Sequence, residues 1–437
     1  MSRELHPNEY FFLFFFFFFF TSFLIFAAVH HRDWGRGRSL PETREMKRKR
    51  AYIPDEIIFD ILLRLPVKSI IRFKSVCKSW SSLTSDPSFL QAHARRSTPA
   101  VIITEYRTTS DSPNFTLHPV LRSEDGSSGS RITIKAARIL PLTLESVSFS
   151  LRASCDGLLC LRKVAPFSPP SCDYVCNSLT KEWFELPKSS LRCATICAFY
   201  YQPAMKEYRL LRHLLFAGDA GYQILTIGAN EWRQIRCTFD GTPSHSLLSH
   251  VRKGPPPCCL EPPVSMHRKL HWFSMDSPAT TDGLIMVFDI NHEKFGQLSV
   301  PNICRGQTHV LELEGKLGLS VVASAMEMDL WILEDYEKEV WFKKYRINVQ
   351  GIGGMPKGIR SKFFRPLVVS DAGEAVVSFY GDLVLYDLKR HTCFQIEGIN
   401  DVLGDFYFLY KESFVRHDFF KMGHQDHVVF PTAAISS

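Results

Sequence analysis

The chain has 437 residues, 45% of them hydrophobic and 13% aromatic, which accommodates a small module beside one large β-rich domain. The net charge of +7 is modest, and Lys47-Arg48-Lys49-Arg50 supplies four positive charges in one cluster, so the charge balance gives no nucleic-acid-binding surface. Twelve cysteines are scattered without a Cys-x2-Cys; the pairs Cys172/Cys176 and Cys193/Cys197 have no His-x3-5-His at zinc-finger distance, and this usage fits a reducing compartment and buried apolar thiols.

In chain order, Tyr10 to Val29 carries no charge and Phe14 through Phe20 is unbroken phenylalanine. As a signal peptide the segment fails, because Glu4 and Glu9 offset Arg3 and no Ala-x-Ala site follows. Phenylalanine codons are pyrimidine-rich, so the expectation for residues 1–45 is an untranslated, T-rich stretch read in frame, with Met46 as the start. The alternative is a membrane anchor, whose C-terminal arginines (32, 36, 38 and 44) would leave the body in the cytosol. Residues 46–52 form a basic lead-in, either a solvated flank or a nuclear-import signal.

From Ile53 the pattern becomes helical. Ile57, Ile58, Ile61, Leu62 and Leu65 make a wide apolar stripe on the first helix. Pro54 opens that helix, Pro66 the second, and Ser85-Asp86-Pro87 a fourth. About forty residues cannot bury that much apolar surface alone, so a partner is expected.

The segments Ile53-Pro54-Asp55-Glu56, Ile61-Leu62-Leu63-Arg64-Leu65-Pro66-Val67-Lys68-Ser69 and Arg72-Phe73-Lys74-Ser75-Val76-Cys77-Lys78-Ser79-Trp80 resemble an F-box, with Ile-Pro where that family usually begins Leu-Pro. Taken with the C-terminal body of the chain, residues 52–411 resemble the plant group that couples an F-box to a C-terminal F-box-associated domain. The resemblance implies a Skp1-like adaptor, and through it a cullin, as partners. It implies adaptor contacts at Pro54, Ile57, Ile61, Leu62, Leu65, Pro66, Ile70, Val76, Cys77 and Trp80, several of which are equally readable as core packing, Ile70 and Trp80 above all.

Past a basic linker the chain alternates as short strands and repeats weakly. Asn177 to Trp183, Asp289 to Phe295 and Asp335 to Trp341 each place an aromatic six residues after Asp or Asn; Asn230-Glu-Trp232 is a shortened copy and Asp387 to Phe394 a longer one. The aromatics at 183, 232, 295, 341 and 394 are spaced by 49, 63, 46 and 53 residues, the length of a four-stranded propeller blade with variable loops. The Asp or Asn supplies a turn, and the returning strand lays its aromatic on the adjacent sheet. Closure is expected from residues 406–415 pairing with early strands such as Val101-Ile-Ile103. The fold class is therefore α+β multidomain: an all-α F-box module (53–94), a linker (95–99), an all-β, propeller-like domain of about six blades (100–415) and a polar tail (416–437). A β-sandwich is the alternative.

Chemistry is sparse. There is no Gly-x-Ser-x-Gly and no His-Glu-x-x-His; Gly353 and Gly358 have Walker-like spacing but are followed by Ile359-Arg360. Ser370-Asp371-Ala-Gly373 has part of a sialidase-type Asp-box without its aromatic, and His267 and His271 read as satisfied surface or edge histidines. The family resemblance thus implies a non-catalytic substrate receptor of a Skp1–cullin–F-box ubiquitin ligase, without cofactor, metal or nucleic acid, cytoplasmic or nuclear. Its target is unknown, and a membrane association follows only if the phenylalanine run is real. Two alternatives stand: a membrane-anchored, ligand-binding propeller, and an F-box interaction protein without ligase function.

Overall fold

The computed structural model describes residues 54–65, 67–96, 100–105, 114–119, 131–133, 138–140, 148–164, 172–178, 180, 182–188, 194–214, 221–239, 242, 247–248, 251, 262–274, 283–301, 307–350, 364–370, 373–379, 382–397, 407–411, 413 and 417–422. The phenylalanine-rich segment, the basic lead-in, Pro66, Cys193 and the Walker-like glycines lie outside the described residues. The chain divides into two compact units, Met1–Ala92 and His93–Ser437.

The first unit carries short helices: α1 (Asp55–Leu63), α2 (Val67–Phe73), α3 (Lys78–Leu83) and the start of α4 (Pro87–Arg96). Pro54 occupies the N-cap of α1, and its carbonyl accepts from the amides of Ile57 and Ile58 at 3.0 and 3.2 Å. The Asp86 carboxylate accepts the Ser88 amide at 2.8 Å and opens α4. That helix runs to Arg96, beyond the expected module end at 94.

The second unit is a β-propeller built of six sheets. Blade 1 takes β1 (Ala100–Glu105), β2 (Asn114–Pro119) and β4 (Arg138–Leu140), with β3 (Arg131–Thr133) leaving it. Blade 2 is β5 (Ser148–Cys155), β6 (Leu158–Val164), β7 (Asp173–Asn177) and β8 (Glu182–Glu185). Blade 3 is β9 (Ala194–Gln202), β10 (Glu207–Leu214), β11 (Tyr222–Thr226) and β12 (Arg233–Ile235), after which β13 (Thr238–Phe239) crosses to the next sheet. Blade 4 is β14 (Val264–Met266), β15 (Lys269–Ser274), β16 (Leu284–Asp289) and β17 (Lys294–Leu298). Blade 5 is β18 (Thr308–Leu313), β19 (Lys316–Val322), β20 (Glu327–Asp335) and β21 (Val340–Asn348). Blade 6 is β22 (Phe364–Val369), β23 (Glu374–Phe379), β24 (Asp382–Asp387) and β25 (Thr392–Glu397). Six separate sheets dispose of the sandwich alternative.

The repeated aromatics fall where a hairpin returns. Trp183, Phe295, Trp341 and Phe394 sit on the fourth strands of blades 2, 4, 5 and 6, and Trp232 directly precedes that of blade 3. In blades 4, 5 and 6 the Asp that begins the repeat ends the third strand and folds the turn. Asp289 Oδ1 accepts the amides of Asn291 and His292 (2.8 and 2.9 Å), Asp335 Oδ1 those of Glu337 and Lys338 (3.1 and 3.0 Å), and Asp387 Oδ1 those of Lys389 and Arg390 (both 2.9 Å). Four residues after each Asp comes a left-handed residue, Glu293, Glu339 and His391, with φ of 54°, 53° and 54°. The indole of Trp232 donates to the Pro187 carbonyl of blade 2 at 3.3 Å, and that of Trp341 to the Ser299 carbonyl of blade 4 at 2.9 Å. In both cases the acceptor lies four residues beyond the preceding blade's own aromatic.

Closure is made by β26 (Tyr407–Tyr410), which pairs antiparallel with β1 so that Val101 faces Leu409 and Ile103 faces Tyr407. N- and C-terminal strands thus share blade 1. Two short parallel strands add ties between blades: β3 pairs with β25 of blade 6 and β13 with β17 of blade 4. The chain then continues over blade 2. Asn177 Nδ2 donates to the Ser413 carbonyl at 2.9 Å, and the hydroxyls of Ser178 and Tyr410 meet at 2.8 Å. Gly157, at φ +85°, lies under this segment; a Cβ there would stand 2.5 Å from Ser413 Cβ. A last helix, α5 (Phe419–Met422), sinks Phe420 into the apolar seam between blades 2 and 3. The stretch expected as a polar tail therefore contains a packed helix, because Phe419 and Phe420 carry enough apolar area to dock.

Candidate partner-binding surfaces

In the helical unit, the wide apolar stripe of α1 is split by burial. Leu62 is 1% exposed and Ile70 on α2 0%, so these two expected adaptor contacts are packed within the folded chain. Phe59 meets Phe89 edge-on at 5.2 Å, and Trp80 meets Phe73 likewise at 5.4 Å. Cys77 is exposed and caps α3, its Sγ accepting the Trp80 amide at 3.5 Å. Pro54 is exposed, while Ile61, Leu65 and Trp80 are half-buried. Ile57 and Val76 stand out, 50% and 40% exposed, and make two of the five large apolar side chains described as exposed in the chain. Isolated surface apolars are ordinary.

The propeller has unlike faces. At one lie the turns between first and second and between third and fourth strands. Residues 156–157, 267–268 and 314–315 there form two-residue hairpin turns in which both residues have positive φ. His267 is one of these turn residues. At the other face lie the C-terminal ends of the second and fourth strands and the N-terminal ends of the first and third. Loops are where a scaffold carries recognition.

Residues 52–92 match the F-box domain family, and residues 122–420 match the family described as the F-box associated beta propeller domain. The chain belongs to the F-box proteins with an F-box-associated propeller. F-box protein At5g49610 of Arabidopsis thaliana is 29% identical over 337 residues, spanning 71% of this chain and 83% of that protein. F-box protein At1g47340 of the same plant is 24% identical over 393 residues, spanning 81% and 77%. F-box/kelch-repeat protein At4g19930 is 25% identical over 324 residues, spanning 67% and 69%. This F-box protein therefore has, in general terms, the organisation of the substrate-recognition subunits of Skp1–cullin–F-box ligases.

The expected histidines resolve differently from one another. His267 is exposed, whereas His271 is wholly buried rather than at a surface or edge. Its Nδ1 lies 3.0 Å from the Val264 carbonyl and its Nε2 2.9 Å from the Tyr336 hydroxyl. A carbonyl only accepts, so Nδ1 carries the proton and Nε2 accepts from Tyr336. Burial pushes this imidazole down to about 4, the Val264 bond opposing and Lys269 and His267 adding to the shift. The unfolded chain takes a proton as pH falls through about 6.5, whereas the folded chain does so near 4. Stability is accordingly full above that upper value and declines toward the lower one, by about 3 kcal/mol from this residue. Thermal unfolding between pH 7.5 and 4 is expected to show this decline, and His271→Gln to flatten it; an unchanged slope in the variant would remove His271 as its source.

No cluster of three or more His, Cys, Asp or Glu able to hold a metal occurs among the described residues, and no described helix is long and apolar enough to cross a membrane. None of the eight described cysteines is in a disulfide among the described residues. Burial raises Cys176 above its ordinary value and does the same to Cys160, which makes them poor nucleophiles. Ser370 Oγ accepts the Glu374 amide at 3.1 Å and closes a hairpin turn, a structural use for this part of the Asp-box-like stretch.

Proposed function

We propose that this chain is the substrate receptor of a Skp1–cullin–F-box ubiquitin ligase, gripping a Skp1-type adaptor with its helical unit and a target protein with its propeller. The observation that carries the reading is the exposure of Ile57 and Val76 on the F-box unit. Pro54 stands exposed beside α1, and Ile61, Leu65 and Trp80 keep part of their surface. These residues, with Pro66 and Cys77, are the adaptor contacts of the proposal, while Leu62 and Ile70 support them from the interior. The target is assigned to the propeller face at which the second and fourth strands of each blade end. Catalysis belongs to other subunits, and this chain contributes proximity and selection.

The test is co-purification. Leu65→Ala combined with Pro66→Ala is expected to abolish recovery of the adaptor while the propeller's melting transition stays in place, since truncating a central apolar anchor costs on the order of 2 kcal/mol or more. Undiminished recovery would defeat the assignment. Recovery of the adaptor without a cullin would identify an F-box interaction protein that takes no part in ubiquitin transfer.

A further inference from the structure

The seam between blades 2 and 3 changes character along its length. Its middle is apolar, with Leu158, Cys160, Val175, Leu210 and Leu225 all buried. Two residues nearer the face at which second and fourth strands end, the same-side positions become Arg162 on β6, Asp173 on β7, Arg212 on β10 and Gln223 on β11. Gln234 follows in register on β12.

Arg162 holds Asp173 with a fork, Nε to Oδ1 at 2.7 Å and Nη2 to Oδ2 at 2.9 Å, and its Nη1 reaches the Ala194 carbonyl at 3.2 Å. The carboxylate of this cluster is therefore taken. Arg212 is 5% exposed and makes no ion pair among the described residues. Its Nε donates to Gln223 Oε1 at 2.8 Å, its Nη2 donates to the same oxygen, and its Cζ lies 3.7 Å over the Trp232 ring. The Gln223 amide is oriented in turn by donating to Gln234 Oε1 at 3.0 Å. Two guanidiniums against one carboxylate leave a positive charge in a mostly dry seam. Burial lowers Arg212 to about 10, with Asp173 opposing and Arg162 reinforcing the shift. A buried cation without an anion is an unfavourable arrangement, and a planar guanidinium is matched best by an oxyanion.

We propose that the mouth of this seam is an oxyanion subsite, in which Arg212, held flat on Trp232, receives a carboxylate or phosphate borne by a side chain of the target protein. The proposal rests on the receptor reading and deepens it, placing the subsite on the face already assigned to the target. Gln223 and Gln234 set the guanidinium's orientation, the described hydrogen bonds of Arg212 going to Gln223 Oε1 alone.

The test uses the full chain co-purified with its adaptor. Inorganic phosphate and acetate are titrated against chloride at matched ionic strength, which removes general screening. Degenerate peptide pools centred on phosphoserine, glutamate or serine are then compared. Phosphate is expected to raise the propeller's melting temperature, and one of the two anionic pools to bind at least about tenfold tighter than the serine pool, about 1.4 kcal/mol. A preference for phosphoserine over glutamate identifies a phosphorylated target, and the reverse an acidic one. Arg212→Met should lose both effects. Gln223→Glu guards against misfolding: it puts a carboxylate where Arg212 already donates, so the fold should melt no lower while oxyanion binding disappears. Equal responses from wild type and Gln223→Glu, or no response in either, overturn the subsite. Adaptor recovery is scored in parallel, so failure of the receptor reading is seen separately.

Discussion

Ile57→Asp is expected to weaken adaptor binding by about 100-fold or more while leaving the melting temperature of the chain unchanged. The reason is the difference between the free and the bound environment. Ile57 is half exposed, so in the free chain the new carboxylate meets water. It also stands in the first turn of α1, where a negative charge is favourable to the helix. Against an apolar partner the same carboxylate would be stripped of water without a counter-charge, which costs several kcal/mol. Val76→Asp should behave in the same way. Leu62→Ala and Ile70→Ala form the contrasting pair: both residues are buried, so each should lower the stability of the helical unit by about 2–5 kcal/mol and affect the adaptor through unfolding. Binding by calorimetry or surface resonance, alongside thermal unfolding, separates the two classes. Normal affinity in Ile57→Asp would remove that face of α1 from the interface.

A chain ending at residue 405 should fail to form a cooperative propeller. The cut removes β26, so β1 loses one of its two antiparallel partners and blade 1 its fourth strand. It also removes Tyr410 and Phe420, both buried, each contributing about 2–3 kcal/mol of apolar burial. The bonds from Asn177 to Ser413 and between Ser178 and Tyr410 go with them. Together these losses approach the whole stability of an ordinary domain, about 5–15 kcal/mol. A ring differs here from a linear array: opening one seam exposes two blade faces at once. Soluble yield and a calorimetric scan decide the matter, and Phe420→Ala, at about 3–5 kcal/mol, is the milder version. A truncated chain that melts like the full one would show that the ring is held shut without its C-terminal strand.

Much of the architecture could be read from the residues alone because its signals are local. A proline at a helix start or an Asp at the end of a third strand acts within a few residues, and the aromatic six positions on marks the return of the hairpin. Even closure was legible, as the pairing of an apolar segment late in the chain with an early apolar strand. What local signals could not reach was burial. Ile57 and Leu62 belong to one stripe of one helix, yet one faces solvent and the other the interior, a division that exists only once the helix has packed on later residues, as Phe59 does on Phe89. The packed helix at 419–422 was hidden for the same reason: a two-phenylalanine turn has no pattern until the seam it enters exists. His271 likewise looked like an edge residue because the hydroxyl that satisfies it, Tyr336, is distant in sequence and comes from the next blade.

The order of modules, the family and the hairpin rhythm of the blades were thus settled by the amino-acid sequence alone, through spacing rules that operate over a handful of residues. Which apolar side chains of the helical unit stay exposed, and how Arg212 came to lie in a seam where Arg162 already holds Asp173, were decided by the tertiary structure. Both depend on surfaces brought together from distant strands, and their burial and charge balance exist once those strands have packed.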